Sequence, residues 1–277
     1  MAKLKATLVN QLQSRLPEGL LVDAAWLSGQ GYSTSLRSQY VSAGWLKQPA
    51  RRVYQRPRGE LTWQQVVISL QTLLEHDVTV GGRTALDMHG LAHYLKQRTT
   101  SVFLHGPKAP PTWLATLPGT ITYRYRNDAR LFSKCRVTTT PHTLAAVGEG
   151  RISLPGGLMA MPWGPWNWPL VISSPERAIL ELLDELPDDE SFHQVDMLMQ
   201  GFATLSPSRM QALLADCHSV KVKRLFFFFA DRHRHAWLKR VDRTAIDLGR
   251  GKRMLVKGGR YDPKHMITVP GDLDGVQ

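Results

Sequence analysis

Cysteine is almost absent from this chain. Of 277 residues, only Cys135 and Cys217 carry a thiol. Two thiols build neither a disulfide framework nor a four-cysteine zinc cluster. Long apolar runs are missing too. The longest, Leu225 to Ala230, is far short of the roughly 18–20 residues that a membrane-spanning helix needs. The first ten residues are basic but hold no long apolar stretch and no cleavage site, so no secretory leader is expected. These absences predict a soluble, cytoplasmic chain without membrane contact. Acidic residues are few: 23 Asp and Glu face 35 Lys and Arg, a net charge of +12. An excess of this size fits a polyanionic partner, most often nucleic acid. Internal repeats and low-complexity linkers are also lacking.

Signatures of catalysis are equally scarce. A P-loop needs a glycine, four residues, then Gly-Lys and a hydroxyl, because its backbone cradles phosphate and the hydroxyl meets magnesium. Gly251-Lys252 is followed by Arg253, and Ile246 stands where the first glycine belongs. Gly31-Tyr-Ser33-Thr-Ser35 lacks the second glycine of a nucleophile elbow. Asp272 and Asp274 read as solvated carboxylates. His233 and His235 flank Arg234, and residues two apart diverge on a helix. No metal site and no cofactor is therefore expected. A binding protein is expected rather than an enzyme.

What is present is unevenly placed charge. Residues 1–60 hold nine Lys and Arg against three Asp and Glu. Residues 61–219 hold twelve against fourteen. Residues 220–264 hold fourteen against four. Two basic ends flank a nearly neutral middle, which predicts two electrostatic surfaces. A domain boundary is expected near residues 77–82, dividing residues 1–78 from a larger unit, residues 79–277.

In the first unit, Leu4, Leu8, Leu12 and Leu16 recur at helical spacing and stop at Pro17-Glu-Gly19. A second helix is expected from Leu20 to Ser28, with Leu21, Ala24, Ala25 and Leu27 inward. Gly29-Gln-Gly31 then turns the chain. A third helix starts at Ser33 or Thr34, either of which can cap it. Leu36, Tyr40 and Val41 share its inner face. Ser33, Thr34, Ser35, Arg37, Ser38 and Gln39 make a polar face without carboxylates. Two helices across a glycine turn, the second with such a face, match a helix-turn-helix. Arg37 is the leading candidate to read guanine, and the face as a whole suits the major groove. Trp45-Leu46-Lys47 and Val53-Tyr54-Gln55 read as a hairpin tipped by Arg51 and Arg52. Lys47, Arg51, Arg52 and Arg56 would then meet phosphates or the minor groove, as a wing does. Leu61 to His76 reads as a further amphipathic helix.

The second unit mixes strand and helix signals, an α+β arrangement. Val78 to Gly82, Ser101 to Leu104, Thr120 to Tyr125, Arg136 to Thr140 and Leu170 to Ile172 are strand-like. Pro155 to Pro169, with three tryptophans, reads as an ordered loop on a core. Ser174-Pro175 and Ser206-Pro207 open helices. Residues 221–238 read as a helix, because Val222, Leu225, Phe226 and Phe229 keep a stripe. Lys252 to Val256 and His265 to Val269 are expected to pair around Gly258-Gly259. Lys221, Lys223, Arg224, Lys239, Arg240, Arg243, Lys252, Arg253 and Lys257 form the candidate second basic surface. It suits nucleic acid, either DNA or RNA, or is solvated surface around an apolar helix.

Several short motifs carry a family likeness. Gly44-Trp-Leu-Lys47, Arg52-Val-Tyr54, Val80-Gly-Gly-Arg-Thr-Ala-Leu86 and His89-Gly-Leu91 are followed in the same order by Lys223-Arg224-Leu225, Trp237-Leu238, Asp247-Leu-Gly-Arg-Gly-Lys-Arg253, Lys257-Gly-Gly259 and Ile267-Thr-Val-Pro270. From about residue 5 to residue 270 the chain resembles the AbiEi family. These are antitoxins and transcriptional regulators of type IV toxin–antitoxin loci linked to abortive phage infection. The resemblance implies a winged helix-turn-helix domain that represses its own promoter by binding inverted repeats in double-stranded DNA. It implies a C-terminal domain needed for antitoxin action against a nucleotidyltransferase-like toxin. It leaves open whether that domain holds the toxin, binds the toxin's RNA substrate, or acts without a stable complex. One departure stands out: many relatives carry a glycine between the wing arginine and the Val-Tyr pair, where this chain has Arg51-Arg52.

Overall fold

Leu12 and Leu16 are buried, and they seat helix α1 (Ala2–Arg15) on the elements that follow it. The computed structural model describes residues 2–92, 100–137 and 150–273, with side chains from Leu8 onward. Leu4's side chain, Asp274 and most of the strand expected at Arg136 to Thr140 lie outside the described residues. After α1 come β1 (Leu21–Asp23), α2 (Ala24–Gly29), α3 (Thr34–Ser42), β2 (Lys47–Ala50), β3 (Val53–Gln55) and α4 (Trp63–Thr72). The strands form an antiparallel sheet in the order β1-β3-β2. This order of elements is consistent with a winged helix-turn-helix.

The second expected helix is corrected here. Leu21 to Asp23 extend instead, opposite Gln55, Tyr54 and Val53. A short apolar run fits either period, and a partner strand far along the chain decides it. Asp23 then caps α2 by accepting from the Trp26 N–H at 2.8 Å. Ala25 is exposed, not inward. The hairpin begins at Lys47, so Trp45 lies outside it. Pro49 sits on the edge strand β2, where a missing N–H costs little.

A six-stranded mixed sheet forms the centre, in the order β6-β5-β4-β9-β8-β7. Its strands are β4 (Thr79–Val80), β5 (Ser101–Gly106), β6 (Thr122–Asn127), β7 (Ile152–Leu154), β8 (Leu158–Trp163) and β9 (Trp168–Ser173). The Pro155 to Pro169 segment, expected to be a loop, is mostly hairpin. Pro162 and Pro169 stand opposite each other at its far end, past the residues that pair with β7 and β4. Missing N–H groups are tolerated there. Helices α5 (Gly82–Met88), α6 (Pro175–Asp184), α7 (Phe192–Gln200), α8 (Pro207–Asp216) and α9 (Val220–His233) build a separate core with Leu86, Ile179, Leu183, Leu225 and Phe229. The phenylalanine run is helical, and Val222 to Ala230 are buried around the whole helix. The closing hairpin pairs β10 (Arg260–Asp262) with β11 (Ile267–Val269). Lys252 to Val256 does not form the expected hairpin with His265 to Val269: β10 takes that place, and Arg253 meets Ile267 only in an isolated parallel bridge.

The sheet joins the N-terminal elements directly. Val80, Val102, Leu104, Leu170 and Ile172 share one apolar core with Leu12, Leu27, Val66 and Leu70. Within that core Gln71 is fully buried. Its amide donates to the Val78 carbonyl at 2.8 Å and the Val171 carbonyl at 3.0 Å, and it accepts from the Val171 N–H at 3.0 Å. The amide thus continues the β9 ladder into α4. Gln71→Ala should lower unfolding stability by about 2–4 kcal/mol, since it strands buried backbone groups and opens a void. Urea unfolding of the full chain measures this, and a change under ~0.5 kcal/mol would contradict the assigned role.

Candidate nucleic-acid interface

Gly31 takes φ +87°, which a side chain rarely adopts, and it turns α2 toward α3. Ser33 caps α3 by accepting from the Leu36 N–H at 3.3 Å. Tyr40 is buried and faces Tyr32, with ring centroids 6.1 Å apart. Burial raises both phenols above their ordinary range. Ser33, Thr34, Ser35, Ser38, Gln39 and Ser42 are exposed.

Arg37 departs from its expected place. It is only 7% exposed and points into the module. One terminal nitrogen donates to the Ala24 carbonyl at 2.6 Å and to Ser28 Oγ at 2.9 Å, and the other donates to Thr34 Oγ1 at 2.7 Å. The guanidinium carbon lies 5.8 Å from the Tyr54 ring centroid, a cation–π distance. Arg37 therefore cannot read a base in this geometry. It clamps α3 to α2 and β3.

The hairpin presents Lys47, Arg51 and Arg52 to solvent. Arg52 adopts φ +64°, in the left-handed region that favours glycine. Its carbonyl accepts from the Ala24 N–H at 2.8 Å. Ala24 thus bonds the hairpin turn through its N–H and Arg37 through its carbonyl. Arg56 is a second correction. It donates to the Gln13 and Leu16 carbonyls at 2.9 and 3.2 Å and pairs with Glu18 at 2.8 Å. A cation there meets the free carbonyls at the end of α1, not a phosphate.

The second basic surface is smaller than expected. Lys221 donates to the Asp184 and Leu186 carbonyls at 2.6 and 2.9 Å. Lys223 and Arg224 are buried. Arg243 pairs with Asp231 at 3.0 Å and lies 4.3 Å from the Phe227 ring centroid. Arg224 donates to the Leu248, Gly251 and Met266 carbonyls at 2.8, 2.7 and 3.1 Å. It thereby fixes both ends of the 248–266 segment. Burial lowers its pKa, and the neighbouring Arg253 lowers it further. Lys239, Arg240, Lys252, Arg253 and Lys257 remain exposed, joined by Arg250, which sequence reading did not single out.

Sequence reading also missed a buried polar network behind the sheet. Glu181 accepts from the Gly82 N–H at 2.9 Å, Ser173 Oγ at 3.0 Å and Arg177 Nε at 2.7 Å. Burial pushes its carboxyl up, but His105, Arg177 and the Gly82 N–H outweigh burial and hold it below its ordinary value. Burial drives His105 below 6.5, despite Glu181 3.9 Å away. A side chain at Gly81 would collide with Glu181 and His105, and Gly82 takes φ +50°, so each glycine of the pair has its own reason. Burial also raises both thiols, that of Cys217 to about 11. Among the described residues, no three His, Cys, Asp or Glu side chains are grouped to hold a metal. No helix there is long and apolar enough to cross a membrane.

Two family models match the chain. One, for the N-terminal domain of AbiEi antitoxin transcriptional regulators, covers residues 5–97. The other, for AbiEi antitoxin transcriptional regulators of type IV toxin–antitoxin systems, covers residues 160–270. A crystal structure of the RV2827C protein from Mycobacterium tuberculosis is similar in fold. It is 16% identical, with a TM-score of 0.53 over 94% of this chain and 89% of that one. Among curated proteins, none matches.

Arg37→Met should cost about 2–3 kcal/mol of stability, because it removes charge-assisted bonds to groups that stay buried. Arg52→Gly should cost nothing and add up to about 1 kcal/mol, since glycine relieves a left-handed backbone. Urea unfolding of the two variants separates these roles, and equal losses would contradict the clamp.

Proposed function

Given that the chain belongs to the AbiEi family of type IV toxin–antitoxin transcriptional regulators, we propose that it is a cytoplasmic autorepressor and antitoxin that works by binding, not catalysis. The exposed face of α3 enters the major groove of inverted repeats in its own promoter. Gln39 reads adenine edges with its two-sided amide, and Ser35 and Ser38 add hydroxyl contacts. Ser33 and Thr34 lie at the helix start, where backbone N–H groups face phosphate. Lys47, Arg51 and Arg52 contact phosphates or the minor groove. The exposed cations at Lys239, Arg240, Lys252, Arg253 and Lys257 add sequence-independent attraction for a polyanion. The larger C-terminal part counters a nucleotidyltransferase-like toxin.

The observation that carries this reading is the double contact of Ala24. It ties α3, through Arg37, and the arginine-tipped hairpin, through Arg52, to one residue.

A mobility-shift titration on the chain's own promoter tests it. Gln39→Ala should lose about 1–3 kcal/mol of discrimination against scrambled DNA. Arg51→Ala with Arg52→Ala should weaken binding to all sequences and reduce the salt slope by about 0.9 for each phosphate no longer neutralised. Equal affinity for promoter and scrambled DNA would overturn the assignment. In cells, co-expression should restore growth arrested by the adjacent toxin gene.

A further inference from the structure

An open cleft of about 390 Å³ lies where the β8–β9 turn meets the end of α1. Pro17, Glu18, Arg56, Trp166 and Trp168 line it. Its aromatic wall is prebuilt. Trp168 stacks on Trp163 across the hairpin, with centroids 6.2 Å apart and planes at 20°. A Cβ added at Gly19 would stand 3.6 Å from the Trp168 ring, so this indole already presses on the N-terminal elements. Trp166, at the turn, is 56% exposed.

The charges at the mouth differ in how fully they are used. Arg56 is committed to two carbonyls and to Glu18. Arg58 lies over the Trp166 ring, 5.0 Å from its centroid. Its contact with Glu18 is the longer one, 3.5 Å, and both side chains are 43% exposed. A half-exposed guanidinium beside an indole face can accept a phosphate bidentately without unburying any group. Indole faces are stacking platforms for planar heterocycles. The volume lies within the range typical of small-ligand sites.

We propose that this cleft binds a purine nucleoside monophosphate, with the base against the Trp166 and Trp168 indoles and the phosphate at Arg58. The site is separate from α3 and the hairpin turn, and it does not rest on the DNA-binding reading. Its walls come from both the N-terminal elements and the central sheet. A nucleotide held between Pro17, Glu18 and Arg56 on one side and Trp166 and Trp168 on the other would stiffen the joint between them.

Titration calorimetry of the full chain with AMP or GMP tests the proposal, with adenosine and inorganic phosphate as comparison ligands. Saturable binding of the nucleotide, tighter than either comparison ligand, is expected. Trp166→Ala should weaken it about tenfold or more. Arg58→Glu should remove the preference for AMP over adenosine. Both residues are exposed, and unchanged circular dichroism verifies that the variants fold. No saturable binding up to millimolar nucleotide, or binding that Trp166→Ala leaves intact, would overturn the proposal.

Discussion

Within the apolar core of the N-terminal elements, one residue, Ala24, is bonded on two sides and links α3 to the hairpin. Its N–H goes to the carbonyl of Arg52 at the hairpin turn, and its carbonyl takes the guanidinium of Arg37 from α3. Helix and hairpin are otherwise short, and neither would be stable alone in water. Arg37 is buried with neutral oxygens and the Tyr54 ring around it. Burying a guanidinium is costly unless its donors are met. One of them, Nε, is unpartnered, so the site is tolerated only while the remaining bonds stay in register. That requirement makes the relative position of α3 and the hairpin a fixed property of the fold.

The same logic extends into the rest of the molecule. α4 is buried from Gln65 to Gln71, between the small sheet and the large one. Ser69 accepts from the β1 N–H of Leu21 at 3.0 Å, while Gln71 bonds β9. The helix therefore couples the proposed DNA surface to the central sheet by hydrogen bonds on both sides. On the far side of that sheet, Glu181 and Arg177 serve a comparable purpose: from α6, Glu181 accepts from the Gly82 N–H at the start of α5, and Arg177 donates to the Gly156 carbonyl at 2.7 Å. In both places polar groups fix geometry where apolar packing alone would allow sliding.

Much of this was legible in the sequence where local rules act alone. Ser33, Ser174 and Ser206 each cap a helix, as their hydroxyls and following residues predicted. The α9 stripe resolved an ambiguous phenylalanine run. What failed depended on distant partners. Leu21 to Asp23 became a strand because Val53 to Gln55 lay ready to pair, which no local pattern records. The Pro155 to Pro169 hairpin was hidden by prolines that its far end tolerates. α7 was not anticipated at all. Arg37 and Arg224 fall on the polar side of their helices by residue type, yet both side chains turn inward to bond carbonyls of other segments. Arg37 stands three residues before Tyr40, on the same edge of α3. That spacing was the available signal that it turns inward. Arg56 carried no such signal, since its partners sit on α1.

The central claim is that α3 and the arginine-tipped hairpin present one surface to one stretch of duplex. Affinity cleavage tests it most directly, using an iron chelate tethered in turn at Gln39→Cys and Arg51→Cys, with Cys135 and Cys217 replaced. The account predicts cleavage from both positions within the same half-site, a span under about one helical turn, on promoter DNA. Cleavage from only one position, or from sites more than about a turn apart, would contradict it.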